Sequence, residues 1–196
     1  MKYVKTIICV AIAGALIVGY YYYLSTRNAT ETSEEKGEEL TEVEDLLTTD
    51  LENDYPPTPR EVIKLYNRIL QAYYNEELTD SQVEQLASFQ WNMFDEKLKE
   101  ANPWDTFLGS VKSDITLNHE MERAIIDVSV SDSSDIIYKV VDGQECAIVT
   151  TSYFVEEGNS FEKSYQDYAL LQDDDKNWRI VAFELSDSSA NRNDDE

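Results

Sequence analysis

The sequence has few of the residues from which metal, phosphate and disulfide sites are built. Its 196 residues include two cysteines, one histidine and six glycines. No paired Cys or His supplies a zinc site, and no glycine-rich stretch has the form of a phosphate-binding loop. We therefore predict no cofactor and no metal.

The two cysteines, Cys9 and Cys146, also predict no disulfide bond within the chain. Cys9 lies in an apolar N-terminal stretch, whereas Cys146 lies in a predicted strand, so the two cannot meet. Cys146 alternates with Ile148, which favours a small buried side chain. Pairing between two chains is the alternative.

Positive charge is scarce as well. Sixteen Lys and Arg stand against forty Asp and Glu, for a formal net charge of -24. A chain of this sign is repelled by nucleic acid and by anionic membrane surfaces. We expect no nucleic-acid partner.

Residues 6–26 contain no charge at all and predict a transmembrane helix. A helix of 21 residues spans roughly 30 Å, the thickness of a hydrocarbon core. Lys2 and Lys5 precede it, so the positive-inside rule places the N-terminus in the cytoplasm and the rest of the chain outside. We predict an anchor over residues 1–27 of a single-pass cell-membrane protein. A cleaved signal peptide is the alternative.

Residues 28–57 predict an acidic, disordered linker. They contain eleven acidic groups and one lysine, a composition that buries too little apolar surface to fold. Within this stretch, Thr41 and Glu44 form a capping box before a short amphipathic helix. Two interpretations stay open: a transient helix in the linker, or a helix docked on the domain.

Residues 58–187 predict the globular domain, which begins with three helices. Thr58 and Pro59 suit the start of a first helix that runs to Asn75, with apolar residues on one face and Asn67 toward water. A second helix follows a capping pattern at 79–82 and ends at 102–103. A third begins at Trp104.

After Glu122 the apolar period changes from that of a helix to that of strands. Ala124, Ile126, Val128 and Val130 are predicted to share one face of the first strand. Asp142-Gly143 is a hairpin signal between two further strands, and polar turns at 156–160 and 173–177 introduce the last two. The order predicts an α+β domain with three helices on a curved antiparallel sheet of about four to five strands. Residues 188–196 predict a disordered tail.

The long first helix and two C-terminal stretches resemble the nuclear transport factor two-like superfamily. These stretches are Tyr165 to Leu171 and, after a polar turn, Asn177 to Leu185. The resemblance covers residues 58–185 and implies a cone-shaped domain with a pocket between helices and sheet. The layout also resembles small membrane-anchored proteins of Gram-positive gut bacteria.

The resemblance implies which residues to examine, since enzymes of that superfamily tend to place Asp, His or Tyr inside the cone. Residues predicted to line a pocket are Tyr66, Tyr153, Tyr165 and Asp167, with His119 as a further candidate. We favour a non-catalytic binding or protein-interaction module of the bacterial cell envelope, with no catalytic residue. One alternative is an assembly subunit of a secretion or conjugation channel. The other is a small-pocket enzyme with Asp167 as general base, since burial raises a carboxyl pKa.

The predicted partners are the membrane, through residues 6–26, and an envelope protein or a second copy. The open face of the sheet is the expected docking surface. Trp178 and Ile180 are candidate contacts there if they face outward.

Overall fold

The computed structural model describes residues 40–141 and 143–186, and from Thr41 onward they belong to one compact unit. The anchor predicted over residues 6–26 and the tail predicted over 188–196 lie outside the described residues. Within the described ranges, no helix is both long enough and apolar enough to cross a membrane.

In the described part of the chain, five helices precede five strands, and the predicted α+β class with an antiparallel sheet is confirmed. The helices are α1 (Glu42–Leu47), α2 (Pro59–Asn75), α3 (Asp80–Asn92), α4 (Glu96–Ala101) and α5 (Trp104–Glu120). The strands are β1 (Arg123–Val130), β2 (Ile137–Val141), β3 (Gln144–Glu157), β4 (Ser160–Gln172) and β5 (Trp178–Leu185).

Strand β3 is the centre of the sheet. It pairs with β4 along one edge, and β5 lies beyond β4. Along its other edge, β2 pairs with the first part of β3 and β1 pairs with the last part. Val141 pairs with Gln144 across a two-residue turn in which Gly143 has φ 85°, a conformation that glycine adopts without strain. The predicted meander and its hairpin at residues 142–143 are therefore confirmed.

Strand β1 departs from the predicted alternation. Its register with β3 shifts between Ile125 and Asp127, so the strand contains a β-bulge. Ile125 is buried, whereas Ile126 is 51% exposed. The prediction that Ala124 and Ile126 share a face with Val128 was wrong, because the extra residue moves the side chains before it to the other face.

The predicted second helix is two helices. Helix α3 ends at Asn92, and Asp95 caps α4 by accepting a 2.8 Å hydrogen bond from Leu98 N. Between them the chain pairs with β5: Ile180 N donates to Met93 O at 2.8 Å, and Asp95 N donates to Ile180 O at 2.9 Å. A tertiary contact with the sheet thus interrupts a helical pattern.

Helix α2 matches its predicted bounds, because Thr58 caps it and Pro59 occupies its first turn. Its apolar face packs on the sheet. Asn67, predicted to face water, is instead 2% exposed. Its Nδ2 donates to Thr151 Oγ1 at 3.3 Å and its Oδ1 accepts from the Tyr153 hydroxyl, which offsets the cost of its burial.

Residues 28–57 were predicted to be a disordered linker, but from Thr41 onward this stretch is ordered and contains helix α1. Its capping box is formed as predicted, with Thr41 and Glu44 exchanging hydrogen bonds. Leu46 is fully buried with α2 and α3, and Arg68 of α2 forms ion pairs with Glu42 and Asp45. Apolar residues on one face of the helix supply the burial that the acidic composition did not predict. From Thr41 onward, the docked alternative holds.

Trp178 and Ile180 do not face outward. They are 6% and 0% exposed and belong to the core between helices and sheet. Tyr138 packs edge-on against Trp178, and the Tyr55 hydroxyl donates to the Trp178 carbonyl at 2.8 Å. Trp178 and Ile180 are therefore unable to form the predicted docking surface.

Candidate ligand-binding cleft

A cleft of about 520 Å³ lies between helices α2 and α5 and the inner face of the sheet. Seven rings from both layers line its wall: Tyr66, Tyr73, Tyr74, Phe107, Tyr153, Tyr168 and Phe183. Its size falls within the range of small-molecule sites, roughly 300 to 1,000 Å³. The α2 stripe and the alternation along β3 and β4 bring these residues together, because each exposes its large side chains to the same space.

Two tyrosines on neighbouring strands join in the wall of this cleft. The hydroxyl of Tyr153 on β3 bonds to the hydroxyl of Tyr168 on β4 and donates to Asn67 Oδ1. Since Tyr153 donates its own proton to Asn67, Tyr168 is the donor between the two hydroxyls. Gln166 Oε1 lies 3.2 Å from the Tyr168 hydroxyl oxygen, and Tyr66 packs edge-on against the Tyr168 ring. The network holds polar groups of α2, β3 and β4 in fixed positions.

Burial keeps these phenols neutral. Removal from water raises the pKa of Tyr153 to about 12, and it raises the pKa of Tyr66, Tyr73 and Tyr168 above the usual value for tyrosine. At neutral pH the cleft therefore presents hydroxyl groups that exchange hydrogen bonds and do not ionise.

Two polar atoms at the cleft have no hydrogen-bond partner among the described residues. They are the hydroxyl of Tyr73, which is 4% exposed, and Nε2 of Gln90, which is 1% exposed. Buried donors are nearly always paired in folded proteins. The contrast with the fully paired Tyr153 marks these two positions as unusual.

Charged groups stand at the rim of the cleft. They are Asp114 of α5, which is exposed, and Arg123 of β1, whose Nε lies 2.6 Å from Glu157 Oε2. A second depression of about 640 Å³ shares Arg123, Tyr74 and two other lining residues with the cleft. The two spaces are therefore neighbours.

The structure brings two of the four predicted pocket residues into this cleft, Tyr66 and Tyr153. Tyr165 and Asp167 alternate with Gln166 and Tyr168 on β4, so they lie on the opposite face of the sheet. There Asp167 accepts a hydrogen bond from Thr150 Oγ1 and borders only a shallow depression of about 230 Å³. Their assignment to the pocket is corrected accordingly.

His119 does not line the cleft either. It lies in the last turn of α5, where its Nε2 is 3.2 Å from the Tyr73 carbonyl oxygen and its Nδ1 is 4.0 Å from Glu77. Across residues 40–141 and 143–186, no group of three or more His, Cys, Asp or Glu is placed to hold a metal ion.

Sequence reasoning missed the polar character of Gln90 and Tyr73. Both occupy positions of the apolar stripes of their helices, at helical spacing from Leu86 and Ile69 respectively. A glutamine within such a stripe is a usable signal, because an amide there is buried and needs a partner. Tyr168 was missed because Asp167 was predicted to face the pocket, and neighbouring residues of a strand lie on opposite faces.

The model of one protein family, a domain of unknown function (DUF6715), matches residues 1–183. The chain belongs to that family. The match includes the N-terminal stretch and nearly all of the α+β domain. None of the curated proteins compared with the chain matches it. Membership brings no activity with it, so function has to be argued from the cleft.

Proposed function

We propose that this domain is a non-catalytic binding module that takes a small, mostly apolar molecule into the cleft between α2, α5 and the sheet. The observation that supports it best is the cleft itself, with about 520 Å³ of space and a largely aromatic wall. Aromatic rings that line a concave surface are typical of sites for mostly apolar ligands.

The polar groups of the cleft favour binding over catalysis. Its buried tyrosines have raised pKa values, so they keep their protons at neutral pH and supply no phenolate as base or nucleophile. Asp167, the general base of the enzyme alternative, lies on the other face of the sheet. Asp114 is exposed at the rim.

The layout of the cleft supports the proposed likeness to the nuclear transport factor two-like superfamily. The long helix α2 lies across a sheet whose strands β3 and β4 have 14 and 13 residues, and the cleft opens between the two layers. A curved sheet closed by helices into a cone is part of this proposal.

The proposal includes placement at the cell envelope. Its support is the uncharged stretch at residues 6–26, preceded by Lys2 and Lys5. A membrane-impermeant maleimide should label Ser129→Cys in intact cells, because Ser129 is exposed on the domain. Labelling only after cell lysis would contradict an outside location. A mature chain that begins near Leu16 would show that the stretch is a cleaved signal.

An assembly subunit of an envelope channel is a second candidate, favoured by one observation on the outer face of the sheet. Phe154 and Phe161 stack there with ring centroids 5.5 Å apart, and both are exposed. A photo-crosslinking residue at Phe154 should capture a protein in intact cells. A residue at Lys64, on the helical side, serves as the matched control.

The binding proposal is tested by blocking the cleft from within. Ser164 lines it, while its neighbour Lys163 on β4 points to the opposite face. The full chain in detergent should bind ethylbenzene, and ligand-detected NMR in sealed tubes measures this binding. The variant Ser164→Trp should abolish it. Lys163→Trp should leave binding unchanged. Equal binding by both variants would contradict the proposal, and so would the absence of binding by the unmodified chain.

A further inference from the structure

The inner wall of the cleft contains two hydrogen-bond donors that the described part of the protein leaves unused. Tyr73 and Gln90 line the cleft and are more than nine-tenths buried, and the Tyr73 hydroxyl and Gln90 Nε2 lie beneath its surface without partners among the described residues. On the sheet side, the buried phenols of Tyr153 and Tyr168 bond to each other. The unpaired donors are therefore confined to the helical side.

Gln90 places a polar amide on the buried face of α3. It follows Leu86 and Ala87 on the buried face of α3 and precedes Phe94, so an aliphatic side chain would suit the same position. An amide nitrogen without a partner there weakens the fold. A ligand that accepts its hydrogen bond removes that cost and gives the amide a use.

The same surroundings disfavour a negatively charged ligand. The chain has a formal net charge of -24, and the charged groups that line the cleft, Asp114 and Arg123, stand at its rim. Arg123 is already paired with Glu157. A carboxylate buried against Gln90 and Tyr73 would meet neutral donors only, which do not repay the loss of its hydration.

The rings around these donors favour a flat apolar body. Tyr66, Tyr73 and Phe107 on the helical side face Tyr168 and Phe183 on the sheet side. Aromatic walls of this kind pack on ring systems through faces and edges.

We propose that the cleft selects an uncharged ring compound with a carbonyl-type acceptor, which receives hydrogen bonds from Gln90 Nε2 and the Tyr73 hydroxyl. This selectivity rests on the binding function proposed above and adds the chemical class of the ligand. It distinguishes the cleft from a general apolar cavity, which would take hydrocarbons equally well.

Three probes of nearly equal shape test the proposal on the full chain in one detergent: ethylbenzene, acetophenone and benzoate. Acetophenone replaces one methylene of ethylbenzene with a carbonyl, and benzoate adds the charge. We expect acetophenone to bind about 3- to 10-fold more tightly than ethylbenzene, the effect of one net hydrogen bond. We expect benzoate to bind more weakly than acetophenone.

Two variants link that preference to the donors. Gln90→Leu and Tyr73→Phe each remove one donor, and at least one of them should reduce the acetophenone preference, the ratio of its affinity to that of ethylbenzene, to below about 2-fold. Gln85→Leu is the matched control, since Gln85 is exposed on the same helix. It should change neither probe.

The outcomes separate the two proposals. Equal binding of acetophenone and ethylbenzene, or a preference that survives both donor variants, would overturn the carbonyl assignment while the binding function stands. Tighter binding of benzoate than of acetophenone would also overturn it. Failure of the cleft-blocking variant Ser164→Trp to affect any probe would instead remove the binding function.

Discussion

The side-chain amide of Asn75 forms two hydrogen bonds with the backbone of Ile125. Its Nδ2 donates to the Ile125 carbonyl and its Oδ1 accepts from the Ile125 N–H, both at 2.9 Å. The side chain of the last residue of α2 thus pairs with β1 in the way that the backbone of a neighbouring strand would. Because β1 is an edge strand of the sheet, the amide pairs backbone groups of Ile125 on the side where no neighbouring strand lies.

We expect Asn75→Ala to destabilise the fold by about 1 to 3 kcal/mol, because it leaves a backbone donor and acceptor without partners. Urea unfolding monitored by tryptophan fluorescence measures the change. Glu76→Ala, at the adjacent exposed cap of the helix, is the control and should cost less than about 0.5 kcal/mol. A loss no greater than that of the control would mean that the bulge is maintained by other contacts.

Local signals in the sequence predicted those elements whose causes are local. Helix α2 has its cap, its first-turn proline and its apolar stripe within 18 residues, and the hairpin at Gly143 follows from the conformational freedom of glycine. The bulge at Ile125 has no such signal, because its stabilising partner Asn75 is 50 residues away. Likewise, Asn67 is buried because of Tyr153, 86 residues further along the chain.

The candidate site was predictable only up to the choice of sheet face. Alternation along β4 places Tyr165 and Asp167 together, and it places Gln166 with Tyr168, but nothing in that alternation states which set the helices cover. The polar residue in the stripe of α3, Gln90, was the more direct signal. An amide among apolar side chains is buried with them and needs a hydrogen-bond partner.

Two changes from tyrosine to phenylalanine in the same cleft should have opposite signs. Tyr73→Phe removes a buried hydroxyl that has no partner among the described residues, so the ligand-free chain should gain about 1 kcal/mol. Tyr153→Phe removes the hydroxyl that serves Asn67 and Tyr168, so it should lose about 1 to 3 kcal/mol. Urea unfolding of the two variants and the parent chain measures both changes in the free energy of unfolding. A loss for Tyr73→Phe would show that its hydroxyl is paired in solution.

The buried tyrosines predict unfolding in alkali. Burial raises the pKa of Tyr153 from 10.0 to about 12, and the unfolded chain keeps the lower value. Both states bind the phenol proton below pH 10, so stability there is unaffected. Between pH 10 and 12 only the folded state keeps it, so stability falls by about 1.4 kcal/mol per pH unit for this one group.

Other buried tyrosines add to this fall, since burial also raises the pKa of Tyr55, Tyr66, Tyr73 and Tyr168. Urea unfolding at intervals from pH 7 to pH 11.5 should give a plateau and then a steep loss above pH 10. Tyr73→Phe should reduce the slope of the free energy of unfolding against pH by the contribution of about one proton. Constant stability up to pH 11.5 would contradict burial of these phenols.

Apolar contacts, more than charge, should hold helix α1 on the domain. Leu46 is fully buried in the core, so Leu46→Ala should cost about 2 to 5 kcal/mol. Arg68 pairs with Glu42 and Asp45 at 2.6 Å, but all three side chains are 38 to 54% exposed, so Arg68→Ala should cost about 1 kcal/mol or less. Lys64→Ala, an exposed cation on the same helix, is the control.

Urea unfolding and limited proteolysis between α1 and α2 measure both effects. Faster cleavage should follow Leu46→Ala, since the loss of core contacts frees the helix to leave. Arg68→Ala in low salt and the parent chain in high salt should be cut at similar, slow rates, because salt screens half-exposed ion pairs. If Arg68→Ala released the segment as readily as Leu46→Ala, the acidic stretch would be docked mainly by charge, and its attachment would depend on ionic strength.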